Sequence, residues 1–172
     1  ELTKRGITVT KSRTDINKDK GLYDRGYGAK GCDLFLSIHS NACGNCDVDY
    51  PVVYRGYDKT EEDEFGLKLE KMIQNLMGTV QGGRTATRKG SDGGEYYGVL
   101  RGARAAGLTY YYIIEHSFHT NKRATEWLLN DNNIKELAKK EAELIASYFN
   151  VQKQEEKKEE VKEEPKEKKP AE

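Results

Sequence analysis

An α/β fold, with a mostly parallel sheet between helices, is the class this sequence predicts. Two near-continuous apolar runs, residues 32–41 and 110–114, carry the prediction. Each is too short for a helix and reads as a strand covered on both faces. Between them Phe65, Leu69, Met72, Ile73 and Leu76 recur at helical spacing, so an amphipathic helix packs on that sheet.

Composition bounds the rest. A chain of 172 residues is one domain's worth, and Lys plus Arg equals Asp plus Glu at 29 each. With no net charge there is no long-range pull toward nucleic acid or acidic lipid. No apolar stretch approaches the about 20 residues that a membrane-spanning helix needs, and no secretory signal is visible. Residues 1–6 read as the last turn of a helix closed by Gly6, the mark of a fragment, so a missing signal says nothing about location.

Taken in order, residues 7–10 alternate apolar and β-branched side chains and are expected to form a first strand. Arg13, Thr14 and Asp15 follow, as a solvated turn or as a polar cluster at the strand end. Leu22, Tyr23, Tyr27 and Ala29 then line one side of a short helix. It bridges the first strand to the central one at 32–41, a βαβ crossover that makes the two strands parallel. Cys32 is expected in the core. Pro51 opens a strand at 51–54 and suits the first position of an edge strand.

Thr60 is expected to cap the amphipathic helix, with Glu61, Glu62 and Asp63 complementing its dipole. Residues 78–94 lose all periodicity. Their glycines, with Arg84, Arg88 and Lys89, make either a mobile basic loop over a cleft or a plain connection. A short helix ends at Gly107. Asn121 caps a helix bearing Ala124, Trp127 and Leu128, in which Trp127 is a core anchor rather than a sugar platform. Asn130 and Asp131 open a last helix with Ile134, Leu137, Ala138, Ile145 and Phe149 inward. The remainder, 151–172, is almost wholly Lys and Glu and is read as a charged linker to a further module.

Chemistry concentrates at two strand ends. The first apolar run ends in Ser37, His39 and Asn41, and the second in Glu115 and His116. A carboxylate closing a fully apolar strand is costly to bury without a partner, so Glu115 is either paired or catalytic. An imidazole with a carboxylate suits metal-assisted hydrolysis, in which zinc acidifies a water and the carboxylate takes its proton. One imidazole cannot hold zinc, since catalytic sites supply three protein ligands. Whether His116 or His119 ligates is left open. Cys43 and Cys46 have the spacing of half a zinc knuckle, but without a second pair they read as a local disulfide or as free thiols.

These residues carry a resemblance. Ser37-Ile38-His39-Ser40-Asn41 and Ile114-Glu115-His116-Ser117-Phe118-His119-Thr120-Asn121 resemble the two signatures of the zinc-dependent N-acetylmuramoyl-L-alanine amidases, the type-3 amidase family of bacteria and their phages. Residues 6–13 with Asp24 and Arg25, and Val99-Leu100-Arg101, resemble the approaches to those signatures.

The resemblance implies a phosphorylase/hydrolase-like three-layer α/β fold over residues 1–150, with the family's N-terminal strand and first helix missing. It implies cleavage of the amide between N-acetylmuramic acid and the L-alanine of the stem peptide of peptidoglycan, with Zn2+ as cofactor. His39 takes the place of one zinc ligand, Glu115 that of the catalytic acid/base, and Asn41 and Arg101 are assigned to substrate binding. The other two zinc ligands of the family have no counterpart in this chain, so the chain alone is expected to bind zinc poorly and to hydrolyse little. The implied setting is extracellular, at the cell wall, as a phage endolysin or a bacterial autolysin with a C-terminal wall-binding module. The alternative is a non-catalytic wall-binding or regulatory module that keeps the amidase fold.

Overall fold

The computed structural model describes residues 1–15, 17–58 and 63–149. The expected cap at Thr60 with Glu61 and Glu62, and the linker at 151–172, lie outside the described residues. After a 3-10 turn, Thr3–Arg5, closed by Gly6 in the left-handed conformation, the elements in order are helix α1 (Leu22–Tyr27), strand β1 (Leu34–Asn41), β2 (Val52–Arg55), helix α2 (Glu64–Met77), β3 (Arg84–Ala86), α3 (Gly98–Ala105), β4 (Tyr110–Phe118), α4 (Lys122–Leu128) and α5 (Asp131–Tyr148).

The strands form one mixed sheet in the order β1-β4-β2-β3. β1 runs parallel to β4 and β2 parallel to β3, while β2 and β4 are antiparallel. The interior strands are therefore β4 and β2, and β1 lies at an edge of the described sheet, where the sequence reading had it central. Residues 7–10 are not a strand: Ile7 packs against the core, but Val9 is 43% exposed and no described strand pairs with the segment. Alternation alone does not make a strand without a ladder to join. The predicted βαβ crossover falls with it.

Pro51 begins an interior strand rather than an edge. It sits before the first ladder residue, so its missing N–H costs no bond, and its carbonyl accepts from Arg84 N at 3.1 Å. The aperiodic stretch 78–94 contains β3, whose three residues are too few to show a period.

Helices cover both faces. On the back, α2 and α5 enclose Val53, Phe65, Leu69, Ile73, Tyr112, Ile114, Leu137 and Ile145, with Trp127 of α4 packed against them. The apolar face predicted for α2 is the buried one, and its cap is Asp63, which accepts from Gly66 N and from the Tyr112 hydroxyl. Asn121 and Asn130 cap α4 and α5 as expected. Ile134 and Ala138 of α5 are exposed rather than inward.

On the front, α1 crosses α3 without side chains between them. A Cβ on Gly26 would stand 1.9 Å from the Val99 carbonyl oxygen, and one on Gly102 would stand 1.9 Å from that of Tyr23. The inward side of α1 is thus its glycine. Leu22, Tyr23 and Tyr27, expected along one face of the helix, are each exposed. Cys32 is exposed as well, because it precedes the first covered residues of β1.

A fully buried carboxylate ties the loops together at the end of the sheet where β4 finishes. Asp49 accepts from Ser117 Oγ (2.8 Å), Val80 N (3.2 Å) and Arg123 Nε (2.7 Å), and Arg123 also donates to the Met77 carbonyl. One carboxylate so joins the loop after β1, the end of β4, the turn after α2 and the first residues of α4. No helix among the described residues is long and apolar enough to cross a membrane.

Candidate active site

The two strand ends singled out in the sequence meet. His39 and Glu115 are register partners on adjacent parallel strands, about 4.8 Å apart across the ladder. Side chains alternate along a strand, so both point to the front face, which Phe35, Tyr111 and Ile113 occupy further down the same strands. The bond between Ser37 Oγ and His39 Nε2, at 2.8 Å, joins two residues of that face. Spacing of two on a strand was sufficient to anticipate it.

The two groups are tuned in different ways. Burial lowers the His39 pKa, and the charges of Arg25 on α1 and of His116 push the same way, so the ring favours its neutral form. Burial raises the Glu115 carboxyl above the usual range, against the opposing pull of His116 and His119. Glu115 Oε2 is buried and has no hydrogen-bond partner among the described residues. A neutral imidazole beside a proton-hungry carboxylate is the pairing that proton transfer at a bound water needs.

The interruption of the sheet lies one step further. Pairing moves from His39 with Glu115 to Asn41 with Phe118, so β4 carries one residue more than β1 across this step. His116 therefore faces the back, where it is 4% exposed. Its Nδ1 lies 3.0 Å from the His39 carbonyl and its Nε2 2.7 Å from Glu141 Oε1 on α5. Burial works against the charged ring, but the Glu141 hydrogen bond and charge, with the His39 carbonyl and the charge of Glu115, together outweigh it, and the His116 pKa is raised. Glu141 gave no signal in the sequence, being one of many glutamates on a helix. A cleft of about 580 Å³ on this back face is lined by Ile38, His39, Ser40, His116, Leu137 and Glu141 among others, and Glu115 is not part of its lining.

His119 bonds Ser40 Oγ through Nδ1 at 3.1 Å, and its N–H donates to the Asn41 carbonyl. The Asn41 side chain accepts from Ala42 N. Arg101 Nη1 donates to the carbonyls of Glu95 and Tyr96 and secures the loop that precedes α3. Cys43 and Cys46 are free thiols in the loop after β1, which is held by the bond from Asn121 Nδ2 to the Cys46 carbonyl.

The donor set can be tested against zinc directly. No cluster of three or more His, Cys, Asp or Glu able to hold a metal exists among the described residues. His39 can fill one position of a zinc site, provided that Ser37 releases Nε2 or the metal takes Nδ1. The set falls short of the three protein ligands that a catalytic zinc requires.

Solved structures share the fold. The chain is similar to Cwp6 from Clostridium difficile, with 24% identity and a TM-score of 0.70 over 85% of this chain and 23% of that one. It is similar to the catalytic domain of CwlV, an N-acetylmuramoyl-L-alanine amidase from Bacillus (Paenibacillus) polymyxa var. colistinus, with 19% identity and a TM-score of 0.65 over 85% of this chain and 74% of that one. AmiC2 of Nostoc punctiforme, another N-acetylmuramoyl-L-alanine amidase, gives 20% identity and a TM-score of 0.61 over 87% of this chain and 76% of that one. The chain thus spans about a quarter of Cwp6 and about three quarters of the two amidase structures. No curated protein matches it in sequence. The family description "N-acetylmuramoyl-L-alanine amidase" matches residues 1–147, on the fold and with the paired strand ends described above, and the chain belongs to that family.

Proposed function

We propose that this protein acts on peptidoglycan by hydrolysing the amide between N-acetylmuramic acid and L-alanine. The observation that carries the reading is the pairing of His39 with Glu115 at one strand edge, with a buried carboxylate oxygen left without a partner among the described residues. Glu115 is the acid/base: its raised pKa lets it accept a proton from the attacking water and return it to the departing amine. His39 is one zinc ligand, and Asn41 and Arg101 face the substrate. Zn2+ is the cofactor of the complete site, where it would acidify the water and polarise the amide carbonyl.

Because the described residues offer one imidazole toward that metal, the 172-residue chain itself binds zinc weakly and hydrolyses little. The same shortfall favours a second reading, a wall-binding or regulatory module that retains the fold. The setting proposed is extracellular, at the cell wall, in an endolysin or autolysin. Residues 1–150 are the catalytic domain, and 151–172 link it to a further wall-binding module.

Purified peptidoglycan distinguishes the readings. Incubation with the chain and excess zinc is expected to release L-alanine amino termini slowly without new reducing ends, and Glu115→Gln is expected to lower that release by about 10²-fold or more. New reducing ends, or release unaffected by Glu115→Gln, would refute the assignment. Sedimentation with cell walls and no amine release at any zinc concentration would favour the binding module.

A further inference from the structure

We infer that His116, braced by Glu141, is a positioning residue: it holds the His39 carbonyl at the sheet interruption and so fixes where the His39 imidazole stands. Three elements meet in one line of contacts, α5 through Glu141, β4 through His116 and β1 through the His39 backbone. A carbonyl oxygen can only accept, so Nδ1 of His116 donates to it. The other ring nitrogen is 2.7 Å from a carboxylate, which orients the ring and prevents it from turning away.

The location gives the contact its meaning. At this step β4 holds one residue more than β1, and an extra residue locally breaks the ladder and re-aims side chains. It is the step at which β1 carries His39. Without a second support, the end of β1 would depend on a broken ladder at the edge of the described sheet. His116 supplies that support from the back face while its neighbour Glu115 faces the front.

Stability alone does not explain the choice of residues. His116 is buried and Glu141 largely so, and an apolar pair of similar volume in such a place is commonly as stable or more stable. What an apolar pair cannot do is grip one particular carbonyl. Buried polar pairs retained for geometry behave in this way. The structural claim stands on distances alone; its importance for catalysis rests on the assignment of His39 proposed above.

The test is nuclear magnetic resonance on the full chain with four variants. His116→Phe keeps an aromatic ring and removes both bonds, Glu141→Ala removes the brace, Glu141→Gln retains an acceptor for Nε2–H, and Leu137→Ala opens a cavity beside the pair and removes neither bond. His116→Phe and Glu141→Ala are expected to shift the His39 carbonyl and imidazole resonances. They are also expected to speed exchange of the His119 amide, which is bonded to Asn41 just beyond the interruption, by about tenfold. Glu141→Gln restores most of both signals. Leu137→Ala lowers the melting temperature at least as far and moves neither. The inference is overturned if His39 and the His119 amide are unchanged in His116→Phe, or if Leu137→Ala moves them as much. These readings require no catalysis. If His39 is displaced while hydrolysis of peptidoglycan is unaffected, the role of His39 in the reaction fails and the positioning role of His116 holds.

Discussion

On the back of the sheet Phe65 meets Tyr110, Tyr112, Tyr148 and Phe149 with ring centroids 5.0 to 6.4 Å apart. On the front, α1 meets α3 backbone to backbone at Gly26 and Gly102. The first arrangement gains its stability from side-chain volume removed from water, the second from two peptide backbones allowed to approach. His39 and Glu115 stand on the thin side, where Arg25 of α1 is near enough to influence the His39 ring. The thick side carries the fold, and the thin side brings helix residues close to the strand ends.

The contrast can be broken at three strengths. Phe65→Ala empties the centre of the aromatic cluster and is expected to cost about 3–5 kcal/mol, read as a lowered urea midpoint. A loss below about 1 kcal/mol would mean that the back face is not the main store of stability. Gly102→Ala is next. A methyl in a helix interior ordinarily gains about 1 kcal/mol over glycine. Here it meets a carbonyl oxygen at 1.9 Å, which no rotamer change can relieve, so overpacking wins by about 1–3 kcal/mol. The accompanying sign is displacement of α1, visible as shifted Arg25 and His39 resonances. An increase in stability would show that the helix crossing is looser than described.

The smallest effect is in the opposite direction. Glu70 of α2 is buried with Oε2 unpartnered among the described residues, and burial raises its pKa against the pull of Lys71. Ionisation then favours the unfolded chain. The penalty is absent below the unfolded value of about 4.3 and complete once the pH has passed the raised folded value. Glu70→Gln should leave the urea midpoint unchanged in acid and raise stability near neutrality by about 1 kcal/mol. A fall at neutral pH would mean that the carboxylate has a use on the thick side.

The sequence made some of this legible and hid the rest for physical reasons. The α2 stripe, the Asn121 and Asn130 caps and both site strands were visible because period and capping are local properties. So was the meeting of His39 and Glu115, once two strands of like pattern ended in complementary groups. Strand order was not visible: β1 proved an edge and β2 an interior strand because partners are chosen across the chain, and β3 was too short to declare itself. Glu141 and Asp49 were hidden because nothing in a single residue's surroundings along the chain marks a carboxylate that will be buried against a distant histidine or arginine. The exposure of Leu22 and Tyr23 had a similar source, since the glycine that turns inward on α1 is decided by a glycine on α3.

The position of β4 bears on how the chain comes to be folded at all. β1 and β2 both pair with β4, and they do not pair with each other. Among the described residues no two strands adjacent in the chain form a hairpin, so each of these pairings waits for a long loop to close, which slows folding. During synthesis β1, β2 and β3 leave the ribosome before the strand that joins them exists. β2 can pair with β3 before then, but until Phe118 has emerged β1 and the other edge of β2 have no permanent neighbour, and in that interval the nascent chain is most exposed to aggregation and most in need of a chaperone.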